Sequence, residues 1–226
     1  MTYIDSVLFN PGIGLDWHMQ NGERVALLYA LSRCNPDISI EIGTYLGGSL
    51  RPISAASRHV YTLDIDDRRI NGLSNVDFIA GDSSVTLPPI IRLINHSERE
   101  LNFVLIDGDH SEDGVRRDIK SCLQYRPKRS PAIILMHDSS NPDVRRGIAT
   151  APWADCPFIH HVDLDYVHGL LFDREDIRGQ IWGGFAMAVM HPHPRVGDLV
   201  ITRHYDAALR SMVGASVHAT RPERAA

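Results

Sequence analysis

The sequence predicts an α/β fold in which a mostly parallel sheet is covered by helices on both faces. Five short apolar segments recur over residues 38–137, and amphipathic segments of helical periodicity separate them. Near-continuous apolar runs of this kind are typical of strands buried on both faces of a parallel sheet. After about residue 155 the pattern changes, because two further strands enclose a polar stretch with no room for a full helix. That change predicts an antiparallel hairpin that finishes the sheet.

The predicted elements follow from the spacing of apolar residues. Val25, Leu28 and Leu31 recur at helical spacing, which predicts a helix over Gln20–Cys34. Ile38–Ile42 reads as the first buried strand. In the same way we assign strands to Val60–Asp64, Val76–Ala80, Leu101–Asp107, Ala132–His137, Phe158–Asp165 and Gly184–Met190, and helices to Gly48–Ser57, Ser84–Ile94, Glu112–Gln124 and Tyr205–Val213.

Length and composition favour one domain. The chain has 226 residues, of which 43% are hydrophobic and 23% charged, an ordinary globular balance. No linker or internal repeat divides it. We therefore expect a single domain with a helical segment at residues 1–36, a core at residues 37–190 and a tail at residues 191–226.

The net charge of −5 argues against nucleic acid and anionic membranes as partners, because both require a basic surface. No apolar run approaches the roughly 20 residues of a membrane span, and no signal peptide is visible at the amino terminus. The three cysteines are far apart in sequence and favour free thiols in a reducing compartment. We therefore expect a cytoplasmic protein. The sequence leaves its oligomeric state open, a homo-oligomer included.

Glycine and polar residues cluster where each of the five parallel strands ends. In an open parallel sheet these ends form one edge, and ligands bind there. Turns also favour Gly, Asp and Ser, so one such end would indicate little. Five consecutive ends of this kind indicate a binding site. The ends are Glu41–Ser49, Asp64–Asp67, Gly81–Ser83, Asp107–His110 and His137–Ser139.

The first two strand ends indicate an adenosine-containing ligand. Gly43 and Gly47 allow a close approach of the backbone and a sharp turn into the next helix. The start of that helix favours an anionic group such as a ligand carboxylate. Asp64, at the tip of the second strand, can accept hydrogen bonds from both hydroxyls of a ribose. NAD would fit so far, but its fingerprint G-x-G-x-x-G is not matched by Gly-Thr-Tyr-Leu-Gly-Gly.

The loop Glu-Ile-Gly-Thr-Tyr-Leu-Gly-Gly-Ser at residues 41–49 resembles the E-x-G-x-x-x-G-x-S loop of class I S-adenosylmethionine-dependent methyltransferases, in particular the cation-dependent catechol-type O-methyltransferases. The runs LIDGDHSEDGVRRDI and ILMHDSSNPDVRRGI resemble a bacterial branch that includes small-molecule and sugar O-methyltransferases of natural-product pathways. The resemblance covers about residues 38–190. It implies a Rossmann-like, doubly wound, seven-stranded sheet with an antiparallel last strand. It also implies methyl transfer from S-adenosylmethionine to a hydroxyl of a small-molecule acceptor.

Carried over residue by residue, the resemblance implies a cofactor site. Asp107 would close the pocket near the sulfonium and amino groups, where a carboxylate suits the positive charge. The other implied contacts are Glu41, Gly43, Thr44 and Tyr45 at the methionine end, Ser49 at its carboxylate, Asp64 at the ribose, Ile65 beside the adenine, and Gly81, Asp82 and Ser83 near the adenine amine.

The resemblance also implies a Mg²⁺ site. Catechol-type enzymes hold the ion with an acid after strand four and an Asp-Asn pair after strand five. Asp107 and Asp138 match the first two positions, and Ser139 stands at the third. A neutral hydroxyl is a weaker ligand for a hard cation, although Asp109 could complete the shell. A metal-free methyltransferase is therefore the alternative interpretation.

His110 is the predicted general base, because related enzymes carry a basic residue at this position and a histidine titrates near neutrality. A histidine that only hydrogen-bonds a turn is the alternative, and His137 and Asp109 are the next candidates for the base.

Two other functions stay open, a non-catalytic nucleotide-binding module and a nucleic-acid methyltransferase. His110 beside the pocket argues against the first, and the acidic net charge argues against the second.

Overall fold

The structure, a computed structural model, describes residues 17–220, so the outer parts of the predicted segments 1–36 and 191–226 lie outside the described residues. Helices α1 to α6 span Asn21–Cys34, Leu50–Ala56, Ser83–His96, Glu112–Cys122, Pro142–Ala149 and Asp206–Gly214. Strands β1 to β8 span Ile38–Ile42, His59–Asp64, Val76–Ala80, Leu101–Ile106, Ala132–His137, Ile159–Leu171, Ile181–Met190 and Val200–Thr202. Short 3-10 turns lie at Trp153–Asp155, Glu175–Ile177 and Val217–Thr220.

The strands form one sheet in the order β3-β2-β1-β4-β5-β7-β6-β8. Strands β1 to β5 are parallel to one another, and β7 lies antiparallel between β5 and β6. The predicted α/β class, with a doubly wound and mostly parallel sheet, is confirmed. The described strands number eight rather than seven. The additional strand, β8, has three residues and pairs parallel with β6, so it is too short to show a period in the sequence.

The two faces of the sheet bury two separate apolar cores. Along β4, Val104 and Ile106 face the core covered by α3, α4 and α5, while Phe103 and Leu105 face the core covered by α1 and α2. All six residues of β4 are buried. This burial on both sides explains the continuous apolar run in the sequence, because neither face of the strand meets water.

Helix α5 and the hairpin differ from the prediction. The sequence predicts no element over residues 142–149, yet the Asn141 side chain accepts a hydrogen bond from the Asp143 N–H and caps a helix there. Pro142 at its first position lacks only an N–H that the helix would not use. The hairpin strands are also longer than predicted, since β6 continues to Leu171 and β7 begins at Ile181.

Within residues 17–220, no helix combines the length and the apolarity that crossing a bilayer requires.

Candidate active site

A cavity of about 1080 Å³ opens where β1, β2, β4 and β5 end. Its walls are the turns that follow these strands and the turn between β3 and α3. Residues 17–20, which precede α1, and the loop between β6 and β7 close it from above. Pockets for one small molecule measure about 300–1,000 Å³, so this cavity has room for a cofactor and part of a second ligand.

Most residues predicted to bind the cofactor line this cavity. They are Gly43, Thr44, Tyr45, Ser49, Asp64, Ile65, Gly81, Asp82, Ser83 and Asp107. Glu41 lies beneath the loop instead, where its carboxylate accepts hydrogen bonds of 2.6 Å from the Ser49 and Thr62 hydroxyls. Burial raises the pKa of Glu41 to about 8. The direct cofactor contact predicted for Glu41 stays a prediction, and the structure gives this side chain a supporting place below the loop.

The loop after β1 is held by Asp64 and by the end of β4. The Asp64 Oδ2 atom accepts hydrogen bonds from the N–H groups of Thr44 and Tyr45, at 3.0 and 2.9 Å. Gly43 has a φ of +93°, and a Cβ there would lie 2.1 Å from the carbonyl oxygen of Asp107. The sequence analysis attributed Gly43 to the ligand's need for space. In the structure, the neighbouring strand end occupies that space.

One mouth of the cavity is rich in exposed apolar and cationic groups. The Tyr45 and Ile65 side chains are 49% and 70% exposed. The Arg68 guanidinium lies 5.3 Å from the centre of the Tyr45 ring, and the His18 ring packs edge-on against the same tyrosine at 5.2 Å. A flat ligand could therefore cover apolar surface here that the protein leaves open. On the opposite wall, the Ser83 hydroxyl donates to the buried Asp118 carboxylate at 2.6 Å.

Four titratable side chains meet where β4 and β5 end, namely Asp107, His110, His137 and Asp138, and we call them the acid–histidine cluster. The His110 Nε2 atom lies 2.9 Å from Asp138 Oδ2 and 3.5 Å from Asp107 Oδ1. The His137 Nδ1 atom lies 2.9 Å from Asp107 Oδ1 and 3.4 Å from Asp138 Oδ2. Asp138 has a φ of +54°, a strained conformation that is common at functional sites.

Charge within the cluster favours the protonated form of both histidines. Burial lowers the pKa of His110, but the hydrogen bonds and charges of Asp107 and Asp138 outweigh burial and raise this pKa to about 10. The same two carboxylates raise the pKa of buried His137 well above its ordinary value, against the effect of burial. Burial raises the pKa of Asp138, yet the charge of His137 and hydrogen bonds from both histidines hold that pKa below its usual range.

The predicted catalytic residues differ in access to the cavity. The His110 side chain is 40% exposed, lines the cavity and packs edge-on against Trp182 at 5.5 Å between ring centres. The His137 side chain is only 7% exposed. Asp109 lies at the start of α4, where its carboxylate accepts a hydrogen bond of 2.8 Å from the Ser111 N–H. All three candidates line the cavity, and the Asp109 side chain is 50% exposed. His110 combines exposure to the cavity with contacts to Asp107 and Asp138, and its role as the base stays a prediction.

The donor atoms of the cluster differ from the oxygen-only set predicted for Mg²⁺, and the Mg²⁺ site stays a prediction. One ligand atom each from Asp107, His137 and Asp138 lies within 4.8 Å of the other two, so these three groups could surround an ion. Mg²⁺ prefers oxygen ligands, whereas the third group here is an imidazole nitrogen. Ser139, the predicted third ligand, is buried and is not among the residues that line the cavity. A carboxylate and imidazole set suits transition metals better.

The sequence analysis missed Glu23, Gly183 and Gly184, which contact the cluster from behind. The Glu23 side chain comes from α1, and its Oε1 atom lies 3.4 Å from His137 Nε2 and accepts a hydrogen bond of 2.5 Å from the Gly184 N–H. The Gly183 N–H donates to Asp138 Oδ1, also at 2.5 Å. Paired glycines inside a strand are a sequence signal for close backbone approach.

Comparison with known proteins agrees with this geometry. Residues 40–139 match a family model described as a methyltransferase domain. No protein of curated function matches the chain. An O-methyltransferase from Bacillus cereus, solved with S-adenosylhomocysteine, is similar with a TM-score of 0.53 and 18% identity over 76% of this chain and 82% of that one. An O-methyltransferase of tomaymycin synthesis from Streptomyces achromogenes, solved with S-adenosylmethionine, gives a TM-score of 0.50 and 14% identity over 77% and 82%. The resemblance to class I methyltransferases is confirmed.

Proposed function

Because residues 40–139 match a methyltransferase domain, we propose that the protein is an S-adenosylmethionine-dependent O-methyltransferase that acts on a hydroxyl of a small molecule. The observation that carries this proposal is the cavity that the predicted cofactor residues share with His110. The similar structures solved with S-adenosylhomocysteine and S-adenosylmethionine support the choice of cofactor.

The lining of the cavity fits this cofactor. Asp64 stands at the tip of β2, where its carboxylate can accept hydrogen bonds from ribose hydroxyls. Tyr45 and Ile65 offer exposed apolar surface to the base. Asp107 places negative charge in the same cavity, which suits a ligand with a sulfonium and an ammonium group. When bound, the cofactor supplies a methyl group on a cationic sulfur atom.

His110 is the group that we assign to proton removal. It must first release its own proton to solvent, which its 40% exposed side chain can reach, before it can accept one from the acceptor hydroxyl. Asp107 and Asp138 together oppose that release, because they raise the pKa of His110. Cationic groups of a ligand beside Asp107 would cancel part of this effect, which lowers the pKa of His110. Asp138, 2.9 Å away, then stabilises the imidazolium that forms when His110 accepts the hydroxyl proton.

The donor set of the cluster supports a proton-based mechanism without Mg²⁺. His110 and His137 already balance the two carboxylates, and the predicted oxygen ligand Ser139 does not line the cavity. This mechanism corresponds to the metal-free alternative that the sequence left open. It requires only that His110 and Asp138 stay within hydrogen-bonding distance while the acceptor is bound.

The side chains that cover the cavity favour a small acceptor. Phe172, Ile177 and Trp182 line the cavity from the loop and strand β7, and Trp182 contacts His110 directly. Aromatic and aliphatic side chains of this kind favour a compact ring with a hydroxyl over a polymer. The net charge of −5 also argues against a nucleic-acid acceptor.

The proposal is tested in two steps. Calorimetry with S-adenosylhomocysteine and with NAD identifies the cofactor, and we expect binding of the first alone. Transfer of a labelled methyl group from S-adenosylmethionine is then measured with 3,4-dihydroxybenzoate, methyl glucoside and a set of hydroxylated natural products. Binding of NAD in place of S-adenosylhomocysteine would contradict the proposal, and transfer to an amine but to no hydroxyl would contradict O-methylation.

A further inference from the structure

We propose that Glu23, in the first turn of α1, is a positioning residue that orients the acid–histidine cluster for methyl transfer. The proposal rests on the proposed function, because the cluster is assigned there to proton removal. Glu23 lies outside residues 40–139, the segment that matches the methyltransferase domain. No sequence motif connects it to the site, and only the fold brings it there.

The two carboxylate oxygens of Glu23 have separate partners. Oε2 accepts a hydrogen bond of 2.5 Å from the Gln20 N–H at the start of the helix. Oε1 accepts one of 2.5 Å from the Gly184 N–H and faces His137 Nε2 at 3.4 Å. Glu23 is only 1% exposed, and a buried carboxylate is costly unless such partners surround it.

His137 connects Glu23 to the cavity. One edge of its ring faces Glu23, and the opposite edge places Nδ1 2.9 Å from Asp107 Oδ1. Phe185 packs against the ring at 5.2 Å between centres. His137 Nε2 has no hydrogen-bond partner among residues 17–220, so Glu23 acts on this edge of the ring through its charge at 3.4 Å. That charge and the contact with Phe185 favour the orientation in which Nδ1 faces Asp107. Asp107 in turn lines the cavity, where the cofactor's positive charge is expected.

Gly183 and Gly184 connect Glu23 to the second acid of the cluster. Their consecutive N–H groups donate in turn to Asp138 and to Glu23. Both glycines have positive φ values, +82° and +87°, and a Cβ on Gly183 would lie 2.6 Å from Glu23 Oε1. The carboxylate therefore helps to fix the part of β7 that holds Asp138, and Asp138 Oδ2 lies 2.9 Å from His110 Nε2.

Attachment of the helix does not by itself require a buried carboxylate. Leu27 and Leu31, 0% and 2% exposed, already anchor α1 in the core against the sheet. An apolar residue at position 23 would leave the N–H groups of Gln20 and Gly184 without their acceptor, so apolar packing alone does not explain the acid. Oε2 completes a capping box with Gln20 at the start of α1, which is a local role. Oε1 is not used by the helix and faces Gly184 and His137 at the back of the cluster.

The test compares Glu23→Gln with Glu100→Gln. Glutamine keeps the size of the side chain but has one oxygen, so it cannot accept from both Gln20 and Gly184. Glu100 is a matched control, since it is 8% exposed and accepts a backbone N–H from Arg129 at 2.7 Å at the opposite edge of the sheet. Glu23→Asp is a second variant in case glutamine prevents folding, because its shorter chain cannot span both partners.

Proton NMR follows the His137 ring N–H, which a charge-assisted hydrogen bond to Asp107 moves to low field. We expect this resonance in wild type and Glu100→Gln, and its loss in folded Glu23→Gln or Glu23→Asp. Affinity for S-adenosylhomocysteine should change less than about twofold, while kcat on the best acceptor falls roughly tenfold or more.

An unchanged His137 resonance in a folded Glu23 variant would overturn the proposal. A normal kcat in that variant would do the same. Because the resonance does not depend on turnover, a wild-type protein that methylates no hydroxyl would refute the proposed function and would leave this measurement decisive for Glu23.

Discussion

The close contact between Gly43 and the end of β4 leads to a sharp prediction for Gly43→Ala. A Cβ at this position would lie 2.1 Å from the Asp107 carbonyl oxygen, whereas ordinary contact begins at 3.4 Å, so the two strand ends must separate by 1.3 Å. The positive φ of Gly43 adds backbone strain. Gly72 has a similar φ of +85° with nothing near its Cβ, which makes Gly72→Ala a control for strain alone.

The magnitude follows from these two contributions. Alanine at a positive φ costs about 1–2 kcal/mol, which is the expected loss for Gly72→Ala. Overpacking adds about 1–3 kcal/mol, so Gly43→Ala should lose roughly 2–5 kcal/mol of unfolding free energy. For a chain of this size, 1 kcal/mol shifts Tm by about 2–4 °C. The expected loss in Tm is thus about 4–20 °C for Gly43→Ala and about 2–8 °C for Gly72→Ala.

Thermal and urea unfolding of both variants measure this difference, and calorimetry measures binding of S-adenosylhomocysteine. We expect Gly43→Ala to weaken binding about tenfold or more, since the displaced atoms line the cofactor cavity. Gly72→Ala should bind normally. If Gly43→Ala is no less stable than Gly72→Ala, β1 and β4 do not approach each other as described and the reasoning is refuted.

Three further predictions concern the ligands and the proton. Asp64→Ala should weaken S-adenosylhomocysteine binding at least tenfold by calorimetry, while Asp67→Ala, which changes an exposed acid three positions beyond β2, should not; equal affinities would contradict the ribose assignment. His110→Asn should lower kcat about 10²–10⁴-fold. The pKa of His110 is raised to about 10 in the folded protein, so protonated His110 stabilises the fold fully below pH 6.5, and this contribution is lost as the pH rises through 10. In urea unfolding, the difference in unfolding free energy between wild type and His110→Asn should therefore become smaller from pH 6.5 to pH 10. Turnover should persist in excess chelator; loss of activity that Mn²⁺ or Zn²⁺ restores would instead place an ion in the cluster.

The sequence predicts the cofactor half of the site well because that half is built from local units. Each strand of the parallel part ends in a turn whose Gly, Asp or Ser residues are visible in the sequence, and the topology brings these turns to one edge. Gly81, Asp82 and Ser83 are adjacent in the chain and line the same wall of the cavity.

The other half depends on contacts that no local pattern encodes. Glu23 and Gly184 are separated by 161 positions, and nothing near Glu23 predicts a partner so distant. Ser139 follows Asp138 directly, yet the left-handed backbone of Asp138 turns the chain so that only Asp138 lines the cavity. The helix at residues 142–149 was missed because Asn-Pro-Asp is equally typical of a loop and of a helix start.

The insertion of β7 between β5 and β6 has a consequence for the order in which the site is assembled. During synthesis, β1 to β5 and their turns leave the ribosome first, so all the pairings among these five strands can form before β6 and β7 are complete. The Gly183–Gly184 segment of β7 leaves the ribosome later and must join Glu23 of α1. Long-range contacts of this kind form slowly, because a large loop must close before they are made. We therefore expect a nascent chain to acquire its cofactor pocket before it acquires catalytic competence.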